Sequence, residues 1–480
     1  MPQLPVPSVF AAIQLHARMS PHEPAVVTNT EILTYRRFCK AIDRVSRLLQ
    51  EQNLPADSRV AVVVGTPYAA WLVNIALSRL ALLACECTAS GLKVLKPTVV
   101  VTDAPLAHAG AKVITMTKEW LDPEAAPIAP AQEALLDPSK PARIVMSSGT
   151  TGLPKLAMFT AGEFDERLRT MALAYGLTTT SRTLCLMGMP SIGGIVWPLA
   201  TWMAGGVVLL TTVGPNKPLI KLLRDKPTHL FVSTAQLEQL VQSLPADFTP
   251  QRDLVTYVAG SVLPRALNQA ARARLGQSLM MVYGSTEIGT ATLAPAAHVD
   301  FRPGLTGYVC PPAEIEIVDE AGRTLPLGET GIVRTRNVGQ VHRYLDDDKT
   351  TAETFRDTWF YPGDLGAIGP DGELFVKGRA LEVMNFGGVK VTPNAIDEVA
   401  AKVPGVVEAA AFVVADKAAK QWPHIAVVAG ADFDEARLIK RIGASFPSLP
   451  PLKVVRVDKL PRNDMGKILR LELADKHKAA

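Results

Sequence analysis

The stretch SSGTTGLPK, Ser147 to Lys155, packs two glycines, four hydroxyl side chains and one lysine into nine residues. Gly149 and Gly152 let a backbone approach an anion closely, with N–H groups aimed at its oxygens. The hydroxyls of Ser147, Ser148, Thr150 and Thr151 add donors, and Lys155 adds charge. That chemistry suits a phosphate. A Walker loop needs four residues before its Gly-Lys-Ser/Thr ending. Here two residues separate Gly149 from Gly152, and Lys155 follows Pro154. A Walker-type NTPase is therefore not expected. A flexible surface loop is the plainer reading of these nine residues alone.

Three further stretches carry chemistry. In YGSTE, Tyr283 to Glu287, an aromatic ring can stack on a nucleobase. Thr286 can hydrogen-bond a phosphate, and Glu287 can hold Mg2+, a hard cation that favours carboxylate and phosphate oxygens. In YPGD, Asp364 follows a Pro-Gly turn, where its carboxylate can accept from two neighbouring ribose hydroxyls. The plainer role is capping of local N–H groups. Arg379 adds a further hydroxyl or phosphate contact. Lys467 stands in DMGKIL near the end of the chain, where a lysine is ordinarily solvated.

Five stretches in order, SSGTTGLPK, YGSTE, YPGD, GRALEVMNFGGVKVTP from Gly378 and PRNDMGK from Pro461, resemble the motifs of the adenylate-forming enzymes. That superfamily includes acyl- and aryl-CoA synthetases, adenylation domains of peptide synthetases, and luciferases. The resemblance covers the chain from Ser147 to near its end. It implies an acid–thiol ligase that joins a carboxylic acid to ATP, with Mg2+, as an acyl-adenylate, releasing pyrophosphate. Lys467 becomes the catalytic lysine. Two anions must meet at the α-phosphorus, and a mobile ammonium can stabilise the developing charge. The acid needs no general base, because it is already ionised at neutral pH.

The resemblance also implies transfer of the acyl group to a thiol, of CoA or of a carrier protein's pantetheine. Between the steps a small C-terminal domain rotates. Gly388 matches the glycine of the thiol tunnel. The hinge position, usually Asp or Lys, is Leu381; Asn385 and Ala395 also depart from the common lysine and glutamate. These departures, with an N-terminal part shorter than in typical relatives, keep open a non-catalytic nucleotide-binding protein on the same fold. Retention of Lys155, Glu287, Asp364, Arg379 and Lys467 argues against it.

The segment LMGMPSIGGIVW aligns with the acid pocket of that superfamily. It offers no aspartate for an α-ammonium, and a buried unpaired ammonium is costly. A free α-amino acid is thus disfavoured. Gly193 and Gly194 are expected to leave space, bounded by Met189, Ile192, Ile195 and Trp197. Gly260 and Ser261, with Gly284, complete the expected wall. An aryl or apolar acid follows.

The elements that must hold these residues read as an α/β fold. LTYRRFCKAIDRVSRLLQE has helical spacing and ends near Asn53; SRVAVVVG and PTVVVTD read as buried strands. WLVNIALSRLALLACECTA reads as one buried helix, since Asn74, Arg79 and Glu86 interrupt it too often for a membrane span. The alternation continues through GGVVLL, THLFVST, LVTYVAG and LMMVYGS. This predicts mostly parallel sheets flanked by helices. About residues 304–378, closely spaced turn signals predict an antiparallel β subdomain. The expected division is a large N-terminal domain, 1–379, and a small mobile α+β C-terminal domain, 380–480.

Composition sets the outer bounds. The 480 residues carry 50 basic and 46 acidic side chains, a formal net charge of +4, which gives nucleic-acid binding no general support. Five scattered cysteines make a disulfide framework unexpected, and Cys85 and Cys87 lack the partners of a zinc site. No basic start with an apolar run opens the chain, so no signal peptide is expected. The expected location is cytoplasmic.

Overall fold

The computed structural model describes residues 6–108, 110–122, 130–131, 136–147, 154–212, 219–302, 304–386, 389–415, 421–462 and 467–477. The fold is mixed α/β, as expected. A six-stranded sheet is built on the strands Arg59–Val63, Leu83–Glu86, Val99–Thr102, Lys112–Thr115 and Pro141–Ser147, all parallel, and closed by the antiparallel strand Lys155–Thr160. Their burial on both faces explains the near-continuous valine runs. In the last hairpin Ser147 pairs with Lys155, so the two ends of the phosphate-loop motif are held opposite one another.

A second sheet contains fifteen strands. One half is parallel, through Val207–Leu209, Arg182–Cys185, His229–Ser233, Val255–Ala259 and Leu279–Ser285. The other half is antiparallel and includes Gly289–Pro295, Gly307–Val309, Gly331–Arg336, Asp364–Ile368 and Glu373–Arg379. The 304–378 region is thus antiparallel, but it is not detached. Its strands extend the hydrogen-bonded path that begins in the parallel half, because Gly307–Val309 pairs with Gly289–Pro295. Three strands, Val406–Ala415, Gln421–Ala429 and Lys453–Arg456, make a separate sheet after Arg379. Around it, Met384, Ile396, Ile425, Leu438 and their neighbours form a core of their own.

The apolar run from Trp71 differs from expectation. It is a helix, Pro67–Arg79, followed by a strand, Leu83–Glu86. Ala81 turns the chain between them at φ 56°. The polar residues that interrupt the run are buried, and each makes hydrogen bonds, although the Nε of Arg79 has no partner. Asn74 Nδ2 donates to Glu86 Oε2 at 2.7 Å, and Arg143 donates to Asn74 Oδ1. Arg79 pairs with Asp43 at 2.5 Å and donates to the Ala131 carbonyl at 2.8 Å. A helix carrying such groups is tolerable where most of their polar atoms find partners. The five cysteines form no disulfide. No described helix is long and apolar enough to cross a membrane.

Candidate active site

The expected site residues converge from both sheets and from the C-terminal segment. Tyr283 and Thr286–Glu287 leave the carboxyl end of Leu279–Ser285, where ligands collect in parallel sheets. Asp364 opens one strand and Arg379 closes its partner; the two residues pair in register. Asp364 is buried. Its Oδ2 accepts from Tyr283 Oη at 2.6 Å, and its Oδ1 lies 3.2 Å from Arg379 Nε. Arg379 also donates to the Pro362 carbonyl, which fixes the guanidinium beside the turn. A carboxylate has four lone-pair positions, so two remain for further donors. Burial raises the Asp364 carboxyl above its usual range, against Arg379 and the Tyr283 hydrogen bond. The Tyr283 ring packs in part against Phe360 and Ile288 and in part against Val333 and Leu374. Burial first, and then Asp364, push its phenol well above the ordinary range.

Glu287 is buried, and its Oε1 accepts from Tyr344 Oη at 2.8 Å. The Lys155 ammonium sits 5.0 Å from the centre of the same Tyr344 ring. Behind the Thr286–Glu287 turn lies Arg167, 1% exposed. Its Nη1 donates to the Thr286 carbonyl at 3.2 Å and its Nη2 to the Glu287 carbonyl at 2.9 Å. Arg167 and Tyr344 were not anticipated. The available signal was an arginine inside the apolar stripe Phe164, Leu168, Met171 of one helix.

Lys467 is half-buried and lies within electrostatic reach of Arg379, Glu382, Asp364 and Arg470. Burial, then Arg379, hold its ammonium below the ordinary lysine range; Glu382 and Asp364 oppose that shift. Arg470, on the same segment, donates to Asp397 at 2.6 Å and to Asn394 at 2.8 Å, and lies 3.6 Å from Glu382. Leu381 falls in the short 3-10 turn Ala380–Glu382, directly after Arg379. Ser148, Gly149, Thr150, Thr151, Gly152 and Gly388 lie outside the described residues.

The space expected beside Gly193 and Gly194 needs correction. Gly193 and Gly194 do not leave space. A Cβ on Gly193 would stand 2.5 Å from the Phe231 ring and 2.8 Å from Met187 Sδ, and one on Gly194 would strike the Gly188 carbonyl. These positions are glycine because neighbours already fill the volume. Ser191 caps this helix, accepting from the Gly194 N–H at 3.0 Å. Trp197 is fully buried, stacked on Phe231 at 4.9 Å and tilted against Tyr175 at 4.6 Å. It is a core residue rather than an exposed pocket wall. Gly284 is exposed, but a Cβ there would collide with the Gly289 carbonyl across the hairpin. Met189 and Ile192 are partly buried against the main core. Gly260 turns the chain after Val255–Ala259 at φ 94°, with Ser261 beside it.

These elements and side chains define an adenylate-forming enzyme. The AMP-binding enzyme family matches residues 13–345, and the AMP-binding enzyme C-terminal domain matches residues 395–467. The chain belongs to the AMP-binding enzymes and is an acid–thiol ligase of that class. It is 27% identical to the fatty acid–acyl-carrier-protein ligase ScoC of Streptomyces coeruleorubidus, over 96% of this chain and 95% of that one. It is 26% identical to the 2-succinylbenzoate–CoA ligase of Listeria monocytogenes, over 97% and 99%. Its fold is similar to ATP-bound MatB from Rhodopseudomonas palustris, with TM-score 0.84, 24% identity and coverage of 97% and 99%.

Proposed function

We propose that this ligase activates a compact aryl or apolar carboxylic acid and passes the acyl group to CoA. The main support is the half-buried Lys467 of the C-terminal segment, within electrostatic reach of the paired Asp364 and Arg379 of the large sheet. In this reading Asp364 holds the ribose through its two remaining acceptor positions. Tyr283 lies along the base, and Thr286 bonds the α-phosphate. Lys155 and the motif around it receive the leaving pyrophosphate. Lys467 neutralises the approaching carboxylate and phosphate as charge develops. A half-buried ammonium acts in a lower dielectric than water, which strengthens that interaction.

The donor set fits Mg2+. Glu287 supplies a carboxylate, and no cluster of three His, Cys, Asp or Glu exists among the described residues. Mg2+ characteristically takes one or two carboxylates and completes its shell with phosphate oxygens and water. It would neutralise phosphate charge there.

Two observations bear on the acid. Trp197 stacks on Phe231, whose ring lies close against Gly193, and this tight packing favours a compact acid over a long chain. The surrounding side chains are apolar. The acceptor thiol is that of CoA; a carrier protein's pantetheine is the second reading, favoured by the ScoC similarity. The chain has no nucleic-acid or membrane partner in this reading, and its location is cytoplasmic.

The test is acid-dependent exchange of labelled pyrophosphate into ATP over a panel of benzoates and straight-chain acids. Exchange with benzoates, followed by thioester formation on adding CoA, is the expected result. Exchange only with long-chain acids refutes the compact pocket. No exchange with any acid refutes the adenylation reading. Thioester on a phosphopantetheinylated carrier, with none on CoA, selects the second acceptor.

A further inference from the structure

We propose that Arg167 and Tyr344 are positioning residues that clamp the Thr286–Glu287 pair from two sides, so that its ligand atoms meet the metal–nucleotide substrate already aimed. The inference rests on the reading of Glu287 as a metal ligand and Thr286 as a phosphate ligand.

Three observations carry it. First, the two terminal nitrogens of Arg167 go to the carbonyls of these two consecutive residues, at 3.2 Å and 2.9 Å. A guanidinium offers a rigid fork, so the two bonds fix the turn's orientation and not merely its distance. Second, Tyr344 Oη holds the Glu287 carboxylate itself at 2.8 Å, on a side chain 3% exposed. The backbone and the carboxylate of one residue are therefore fixed by different elements. Third, the fold clears room for the arginine. A Cβ on Gly289 would stand 2.8 Å from Arg167 Nε, and one on Gly339 would stand 2.5 Å from the Arg167 backbone N. Both glycines have positive φ, at 73° and 72°.

A plain core strut would not require this arrangement. The Arg167 Nε is buried without a hydrogen-bond partner, a cost accepted where the two terminal nitrogens are spent on one turn. The guanidinium stands 5.2 Å from the centre of the Phe159 ring, which holds it from below. Tyr344 extends the clamp to the phosphate side, since Lys155 lies over its ring. Outer groups that orient a metal ligand typically set affinity by about 10- to 100-fold.

The test compares Tyr344→Phe, Arg167→Lys and Glu287→Ala in the full-length protein. Binding of Mn2+ in the presence of ATP is read by electron paramagnetic resonance, and thermal stability is read in parallel. Tyr344→Phe removes one oxygen and leaves the ring under Lys155. It is expected to weaken Mn2+ binding about tenfold while the melting temperature stays within about 2 °C. Arg167→Lys keeps the charge and loses the fork, and is expected to weaken it at least as much. In a Glu287→Ala background, Tyr344→Phe should add nothing, which a merely structural role would not produce. Should Arg167→Lys fail to fold, the tyrosine pair still decides. Unchanged Mn2+ affinity in Tyr344→Phe, with Glu287→Ala strongly impaired, overturns the clamp alone. Unchanged affinity in Glu287→Ala overturns the metal reading and the clamp with it.

Discussion

Lys467 has an environment that a pH profile can read. Burial and the Arg379 charge hold its ammonium below the ordinary lysine range, so the proton leaves at a lower pH than from a free lysine. Pyrophosphate exchange should therefore fall along an alkaline limb displaced downward. Glu382 favours the charged form, so Glu382→Gln should move that limb lower still, and Glu382→Asp should return it. A limb that ignores both variants would mean that Glu382 does not act on Lys467. Lys467→Ala should abolish exchange while calorimetric ATP binding survives; lost binding in a folded variant would contradict a role confined to the chemical step. Glu86 gives the opposite kind of signal, in stability. Burial raises its carboxyl from 4.5 to about 7, against the Asn74 hydrogen bond and Arg143. The folded state then holds the proton more tightly than the unfolded chain. The stabilisation is complete below pH 4.5 and is lost as pH rises towards about 7, a span of roughly 3 kcal/mol. Glu86→Gln should flatten that part of the pH dependence, as read by urea unfolding. An unchanged slope would show that Glu86 is not the group concerned.

Among the elements, the helix Ala161–Ala174 matters most to the site, because it delivers Arg167 beneath the Thr286–Glu287 turn. Its start is a capping box. Thr160 accepts from the Glu163 N–H at 3.2 Å, and Glu163 accepts from the Thr160 N–H at 2.8 Å. That motif, Thr-Ala-Gly-Glu, is legible in the chain. Thr160→Ala should cost about 1 kcal/mol of unfolding free energy; a loss near zero would show that tertiary contacts alone hold this end. The strands were legible for a similar local reason. Short Val-rich runs such as Arg59–Val63 and Val99–Thr102 have no other stable use than a sheet buried on both faces. The run after Trp71 was not legible, because buried helix and buried strand share the same apolar texture. Only Ala81, in a left-handed turn, separates them.

For the molecule as a whole, the question is how the segment after Arg379 relates to the large sheet. It has its own three-stranded sheet and core, yet it holds Lys467 within electrostatic reach of Asp364. We read the boundary at residue 379. A chain ending there keeps Asp364, Arg379 and Glu287 and loses Lys467. It should melt cooperatively and bind ATP, yet catalyse no exchange. Failure to fold would place the boundary elsewhere.

The residues proposed to meet a nucleotide are legible in the chain through motifs that resemble those of the adenylate-forming enzymes, because anions demand particular groups. Glycines and hydroxyls at Ser147–Lys155, a carboxylate at Glu287, another at Asp364 and an ammonium at Lys467 are types with few substitutes. Their supports could not be named. Arg167 and Tyr344 stand 120 and 57 positions from Glu287, and only the packing of separate segments brings them together. The space expected at Gly193 could not be judged from the chain for the same reason. Whether a glycine leaves a space or yields it to a neighbour depends on what packs there. At Gly193 the neighbour is Phe231, and the folded chain alone determines that contact.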